Sequence, residues 1–187
     1  MNVIIFGPPG AGKGTQATNI VNKFNLNQVS TGDLLRNEVK NQTDIGKDIE
    51  NIISKGDFAT DEIVNELIKN IIYDPKKKNK LIFDGYPRSL NQAKNLDLLL
   101  KKTNQKIDFI FYLNVQKDTI IKRIEKRKIL EKRSDDNLTT ILKRYDTYME
   151  TTKPVLDFYS NNPNFHEIEG GNEISVISSK IEHILSV

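Results

Sequence analysis

The chain has 187 residues, with 28 basic against 25 acidic side chains, a formal net charge of +3, no cysteine and two histidines, His166 and His183. That length suits one domain, able to bury roughly 70% of its unfolded surface, and so near a charge balance argues against nucleic acid or a membrane surface as a bulk electrostatic partner. The lack of cysteine excludes disulfides and cysteine-ligated zinc, two histidines are too few for a metal cluster, and no signal-like or membrane-length apolar run is present, so a soluble cytoplasmic protein is expected.

The first predicted element is a strand, Asn2 to Phe6, followed at once by Gly7-Pro8-Pro9-Gly10-Ala11-Gly12-Lys13-Gly14-Thr15 and a helix over Thr15 to Phe24. Glycines let a backbone close around an anion with its N–H groups inward, the helix start adds its positive dipole end, and Lys13 adds a full charge. Gly10, Ala11, Gly12, Lys13, Gly14 and Thr15 are therefore candidate phosphate contacts. The general pattern puts Ser or Thr directly after the lysine, whereas Gly14 intervenes here, and a plain connecting turn is the alternative reading.

A weak strand at Gln28-Val29 follows, then helical patterns over Asp33 to Lys40, Gly46 to Ser54 and Asp61 to Tyr73, before a strong strand at Leu81-Ile82-Phe83. One crossover helix would connect two parallel strands, so the excess predicts a helical insertion carrying a second site. The run Lys76-Lys77-Lys78-Asn79-Lys80 has no interleaved aromatics for base stacking and reads as a solvated loop. Asp84 ends its strand where an acid near bound magnesium would sit, although an Asp there is commonly a turn former or cap. Helices over Leu90 to Lys102, Lys117 to Lys128, Leu138 to Ser160 and Ile174 to Leu185 alternate with strands at Phe109 to Leu113 and Phe165 to Ile168. The sum is an α/β fold, a doubly wound parallel sheet.

Gly85-Tyr86-Pro87-Arg88, Ser30-Thr31-Gly32-Asp33-Leu34-Leu35-Arg36 and the Lys-Gly-Thr form of the loop together resemble the nucleoside monophosphate kinases, the adenylate kinase family most closely. The likeness runs nearly end to end. It implies a P-loop NTPase core, an acceptor-binding insertion at 30–59, a short lid at 126–136, and the reaction MgATP + AMP ⇌ 2 ADP, with ATP, AMP and ADP as partners, magnesium as cofactor near Asp84, and a monomeric state. By the same resemblance, Arg36 and Arg88 hold the acceptor phosphate. Arg127, Arg133 and Arg144 converge with Lys13 on the transferring group. Arg123 and the backbone near Asn172 meet the donor adenine. Thr31 and Gln92 contact the acceptor adenine, with Asp57, Phe58, Ala59, Gly85, Tyr86 and Pro87 around it. Without the resemblance, Arg123 and Arg127 read as an i, i+4 pair on a solvated helix face. The short segment Lys128-Ile129-Leu130-Glu131-Lys132 leaves no room for a metal knot, so no zinc is expected. Asp135-Asp136 would lie at the hinge of the lid.

Two rivals stand beside this reading. A UMP/CMP kinase shares the loop and the arginines but tends to carry Ala and Asn where this chain has Thr31 and Gln92. A nucleotide-dependent switch of the small-GTPase kind would need an Asn-Lys-x-Asp segment, which is absent.

Overall fold

The computed structural model describes residues 1–54, 57, 59–131 and 138–186. Five parallel strands, β1 (Asn2–Phe6), β2 (Asn27–Ser30), β3 (Leu81–Asp84), β4 (Phe109–Asn114) and β5 (Phe165–Glu169), form one sheet in the order β2-β3-β1-β4-β5. The helices are α1 (Lys13–Phe24), α2 (Thr31–Lys40), α3 (Asp44–Ser54), α4 (Asp61–Ile72), α5 (Leu90–Lys102), α6 (Lys117–Glu131), α7 (Leu138–Thr147), α8 (Lys153–Tyr159) and α9 (Ile174–Leu185). This is a doubly wound α/β fold.

Every residue of β1 is buried, as a strand covered on both faces requires. Side chains alternate across a strand, so β1 feeds two cores. Ile4 and Phe6 pack with Phe83, Ile68, Leu96 and Val155 on one face. Val3 and Ile5 pack with Ile20, Ile124, Ile177 and Ile181 on the other. Leu35 of α2 and Ile49 of α3 join the first cluster, so the helices between β2 and β3 are anchored to the sheet's own core.

Several boundaries differ from the sequence reading for local reasons. The first helix starts at Lys13, two residues early, because Gly12 takes a left-handed φ of 94° and caps it. α2 starts at Thr31, with the Ser30 hydroxyl accepting from the Asp33 amide at 3.3 Å. The single helix expected over Leu138 to Ser160 is broken by a wider π turn at Tyr148–Thr152, after which α8 begins with Pro154 in its first turn. Proline lacks the amide an uninterrupted helix would need and crowds the preceding turn, and the wider turn absorbs both effects. The lysine run forms a capped turn, Pro75–Lys77, with Asp74 accepting from the Lys76 amide.

Gly46 marks the tightest approach between α2 and α3. A Cβ there would lie 2.0 Å from the Glu38 carbonyl oxygen, a backbone atom that cannot swing aside. The Thr43 hydroxyl reinforces the corner by accepting from the Gly46 amide at 3.0 Å. Gly46→Ala is expected to destabilise the fold by about 1–3 kcal/mol, the scale of overpacking, read as a lowered midpoint in urea unfolding at unchanged slope.

Candidate active site

A groove of about 970 Å³ opens at the carboxyl ends of the central strands, where ligands bind in open parallel sheets. The register puts its parts there: Ile5 of β1 pairs with Asp84 of β3, and Phe6 pairs with Tyr112 of β4, so the loop after β1 emerges beside the β3 carboxylate. Gly10, Ala11, Gly12, Lys13, Gly14 and Thr15 line one wall, with Arg123 and Asn172 at its rim. Thr31, Arg36, Asp57, Ala59, Gly85, Pro87 and Gln92 line the other, and Asp84, Arg88, Arg127 and Arg144 also face in. Phe58 and Arg133, expected in the same place, lie outside the described residues, as do Asp135 and Asp136.

The loop is shaped by its glycines. Gly10 has a φ of 81°, and a Cβ on it would come within 2.8 Å of the Ile124 side chain, so the loop can lie flat on α6 only with glycine there. The first helical bond of α1 runs from the Gln16 amide to the Gly12 carbonyl at 3.1 Å. The amides of Lys13, Gly14 and Thr15 precede it and belong to the unpaired helix start that attracts anions. The Lys13 ammonium donates to the carbonyls of Gly7 at 2.8 Å and Pro8 at 3.1 Å, folding back over the loop.

Two cations in the groove hold their protons weakly. Lys13 is lowered to about 8, first by burial and then by Arg88, Arg127 and Arg144, with Asp84 acting against them. Arg88 is lowered to about 10 by burial, then by Arg144 and Arg36, again opposed by Asp84. Like charges crowded in a desolvated cleft are poised for an anion that removes the repulsion. Arg36 is paired with Asp33. Arg123 bridges the walls of the donor side, donating to the Ala11 carbonyl at 3.2 Å and the Asn172 carbonyl at 3.4 Å. That contact turns it to the loop, unlike a solvated ion pair with its neighbours.

On the other wall, Gly85 takes a φ of 74°, and its carbonyl accepts from both the Thr31 hydroxyl and the Arg88 Nε at 2.7 Å. Gln92 is 4% exposed, with its Oε1 accepting from the Arg88 amide at 2.7 Å. Tyr86, grouped with these residues by the resemblance, turns its side chain the other way. Its side chain is 1% exposed, packs by Phe83 and donates to Asn65 at 2.8 Å, so it serves the core beneath the groove and does not line it. Its raised acidity constant, pushed up to about 12 by burial, accords with that place.

Other residues here carried no sequence signal. The Thr152 hydroxyl, on the π turn, donates to the Arg88 carbonyl at 3.1 Å. Lys143 pairs with Asp57 at 2.6 Å, tying α7 to the acceptor wall. Gln28 donates to Asp84 at 3.2 Å. Each partner is 50 or more residues away along the chain, beyond the reach of any local pattern. Among the described residues no three His, Cys, Asp or Glu side chains gather as a metal cluster.

More positive charge converges here than one phosphate would need, and on this strand order, with this loop, that defines a P-loop nucleotide phosphotransferase. The adenylate kinase family profile matches residues 5–164. A protein called adenylate kinase from Pelagibacter ubique (strain HTCC1062) is 50% identical over the whole of both chains. Proteins of the same name from Mycoplasma capricolum and Parabacteroides distasonis are 39% and 37% identical, covering 92% and 100% of this chain and 92% and 98% of their own. The chain belongs to the adenylate kinase family, nucleoside monophosphate kinases that convert ATP and AMP to two ADP and use magnesium with ATP.

The lowered proton affinity of Lys13 has a stability consequence. Between about pH 8 and 10.5 the unfolded chain holds a proton on this side chain that the folded chain has released, so stability gains with rising pH across that window. Lys13→Met removes the gain. The variant is expected to be at least as stable as wild type at pH 7, with its advantage shrinking toward pH 10.5, measured by urea unfolding across pH.

Proposed function

We propose that this groove transfers the terminal phosphoryl group of ATP to AMP, with the donor on the loop wall and the acceptor on the Thr31–Gln92 wall. The observation that carries the assignment is the convergence of Lys13, Arg88, Arg127 and Arg144 with Asp84 between two walls of different chemistry. Transfer between two nucleotides crowds anionic oxygens, and catalysis is then mostly positioning and charge neutralisation. The loop amides and Lys13 hold the donor phosphates. Arg36 and Arg88 hold the acceptor phosphate in line. Arg88, Arg127 and Arg144 neutralise the charge that spreads over the moving group, with Arg133 a further member by family resemblance.

The Asp84 carboxylate, which lies against Gly14 of the loop, suits magnesium, which keeps most of its waters and takes phosphate oxygens as ligands. Asp84 would hold it through water and Thr15 would adjoin it; the ion supplies charge neutralisation at the donor phosphates. Segments 30–59 and 126–136 would close over acceptor and donor and exclude water from the transfer. A cytoplasmic monomer remains our reading, and no zinc is needed for the lid.

Thr31 and Gln92 support adenine over a pyrimidine at the acceptor. The Thr31 hydrogen is spent on Gly85, which leaves its oxygen to accept from an amino group. The decisive test is a screen of nucleoside monophosphates with MgATP, read as product formation. AMP is expected to lead, and a lead by CMP or UMP would give the UMP/CMP kinase its place.

Arg88→Ala is expected to lower turnover roughly a thousandfold and to raise KM for AMP, since the group meets the acceptor before and during transfer. Steady-state kinetics on protein with an unchanged melting curve measure both. Gln92→Ala is expected to lower kcat/KM for AMP by about ten- to a hundredfold and for CMP much less, with KM for ATP nearly unchanged.

A further inference from the structure

The amide of Gln92 is locked in one of its two orientations. The Arg88 amide can only donate, and it donates to Oε1 at 2.7 Å. The Asp61 carboxylate can only accept, and its Oδ1 takes a hydrogen bond from Nε2 at 2.7 Å. Asp61 is itself held, because its Oδ2 accepts from the Ser89 hydroxyl at 2.8 Å while that hydroxyl oxygen accepts from the Gln92 backbone N–H at 3.1 Å. A closed ring thus joins the first turn of α4 to the first turn of α5. The negative charge sits in the first turn of α4, where a helix favours it. Asp61 stands behind Gln92 and does not line the groove.

Resting on the acceptor reading above, we propose that Asp61 is a positioning residue that sets which edge Gln92 shows the acceptor, and so selects a 6-amino purine monophosphate over a 6-oxo one. With one Nε2 hydrogen given to Asp61 and one Oε1 lone pair given to Arg88, the amide keeps one donor and one acceptor. That pair complements a ring nitrogen acceptor next to an amino group. A 6-oxo purine presents the opposite pair, N–H beside carbonyl, and meets like against like. Turning the amide over to suit it would set its NH2 against the Arg88 N–H and its oxygen against the Asp61 carboxylate, two mismatches that the intact ring forbids. Removing Asp61 takes away half of that barrier.

The test compares AMP with inosine monophosphate as acceptors in wild type, Gln92→Ala, Asp61→Ala and Asp61→Asn, with melting curves and KM for ATP alongside. Asp61→Ala is expected to narrow the ratio of kcat/KM values about tenfold or more, chiefly through KM, with ATP unaffected. Asp61→Asn can turn its own amide to offer NH2 as well as oxygen, so it no longer holds Gln92 in one orientation and is expected to narrow the ratio as Asp61→Ala does, although it keeps the size and polarity of the side chain. If Asp61→Ala does not fold, Asp61→Ser, which keeps a polar group in the first turn but cannot reach Nε2, takes its place. An unchanged ratio in Asp61→Ala beside a narrowed one in Gln92→Ala overturns the positioning role and leaves the acceptor reading standing. An equal loss for both acceptors, or an Asn variant that keeps the wild-type ratio, overturns it as well. An unchanged ratio in Gln92→Ala overturns the acceptor reading and this proposal together.

Discussion

Lys13, Arg88, Arg127 and Arg144 share one partly desolvated groove, where burial and then the neighbouring guanidinium groups weaken the hold of Lys13 and Arg88 on their protons. Such crowding opposes folding, so the rest of the molecule must hold the cations in place against their own repulsion. Backbone carbonyls take part: Gly7 and Pro8 accept from Lys13, Gly85 from Arg88, Ala11 and Asn172 from Arg123. Asp84 is the acid that opposes the shift in both lowered groups. Its position follows from pairing with Ile5 in the sheet.

The frame beneath is stiff for a simple reason. A strand buried on both faces cannot move without disturbing two cores, and β1 carries the loop on its end. Helices α1, α6 and α9 close one side through Ile20, Ile124 and Ile181. Helices α4, α5 and α8 close the other through Ile68, Leu96 and Val155. The surface pair Lys143–Asp57 and its like contribute little by comparison, on the order of 1 kcal/mol or less, and matter for where α7 rests on the acceptor wall.

Around Gly85 the acceptor wall shows how one backbone position organises several side chains. Its positive φ turns the carbonyl so that Thr31 and Arg88 both donate to it. A Cβ there would lie 2.8 Å from the Arg88 guanidinium and 3.1 Å from the Thr31 hydroxyl. Thr152 then secures the Arg88 carbonyl from the π turn, which gives that irregular turn a part in the site. Pro154 explains why it is irregular.

The sequence by itself determined the layered α/β class, the loop, the alternation that buries both faces of the sheet, and most residues of the groove, because periodicity, glycine spacing and the order of motifs are local properties of a chain. Helix starts at Lys13 and Thr31 escaped by a residue or two, since they depend on the φ of Gly12 and the hydroxyl of Ser30. Only the tertiary structure decided that Tyr86 turns into the core while its neighbours Gly85 and Pro87 face the groove, that Arg123 reaches back to Ala11, and that Asp61, Ser89, Gln92 and Arg88 close one ring. Hydrogen bonds across 28 to 112 positions leave no mark on spacing, and the side a residue faces at a tight turn is set by the backbone around it and by the packing that turn must meet.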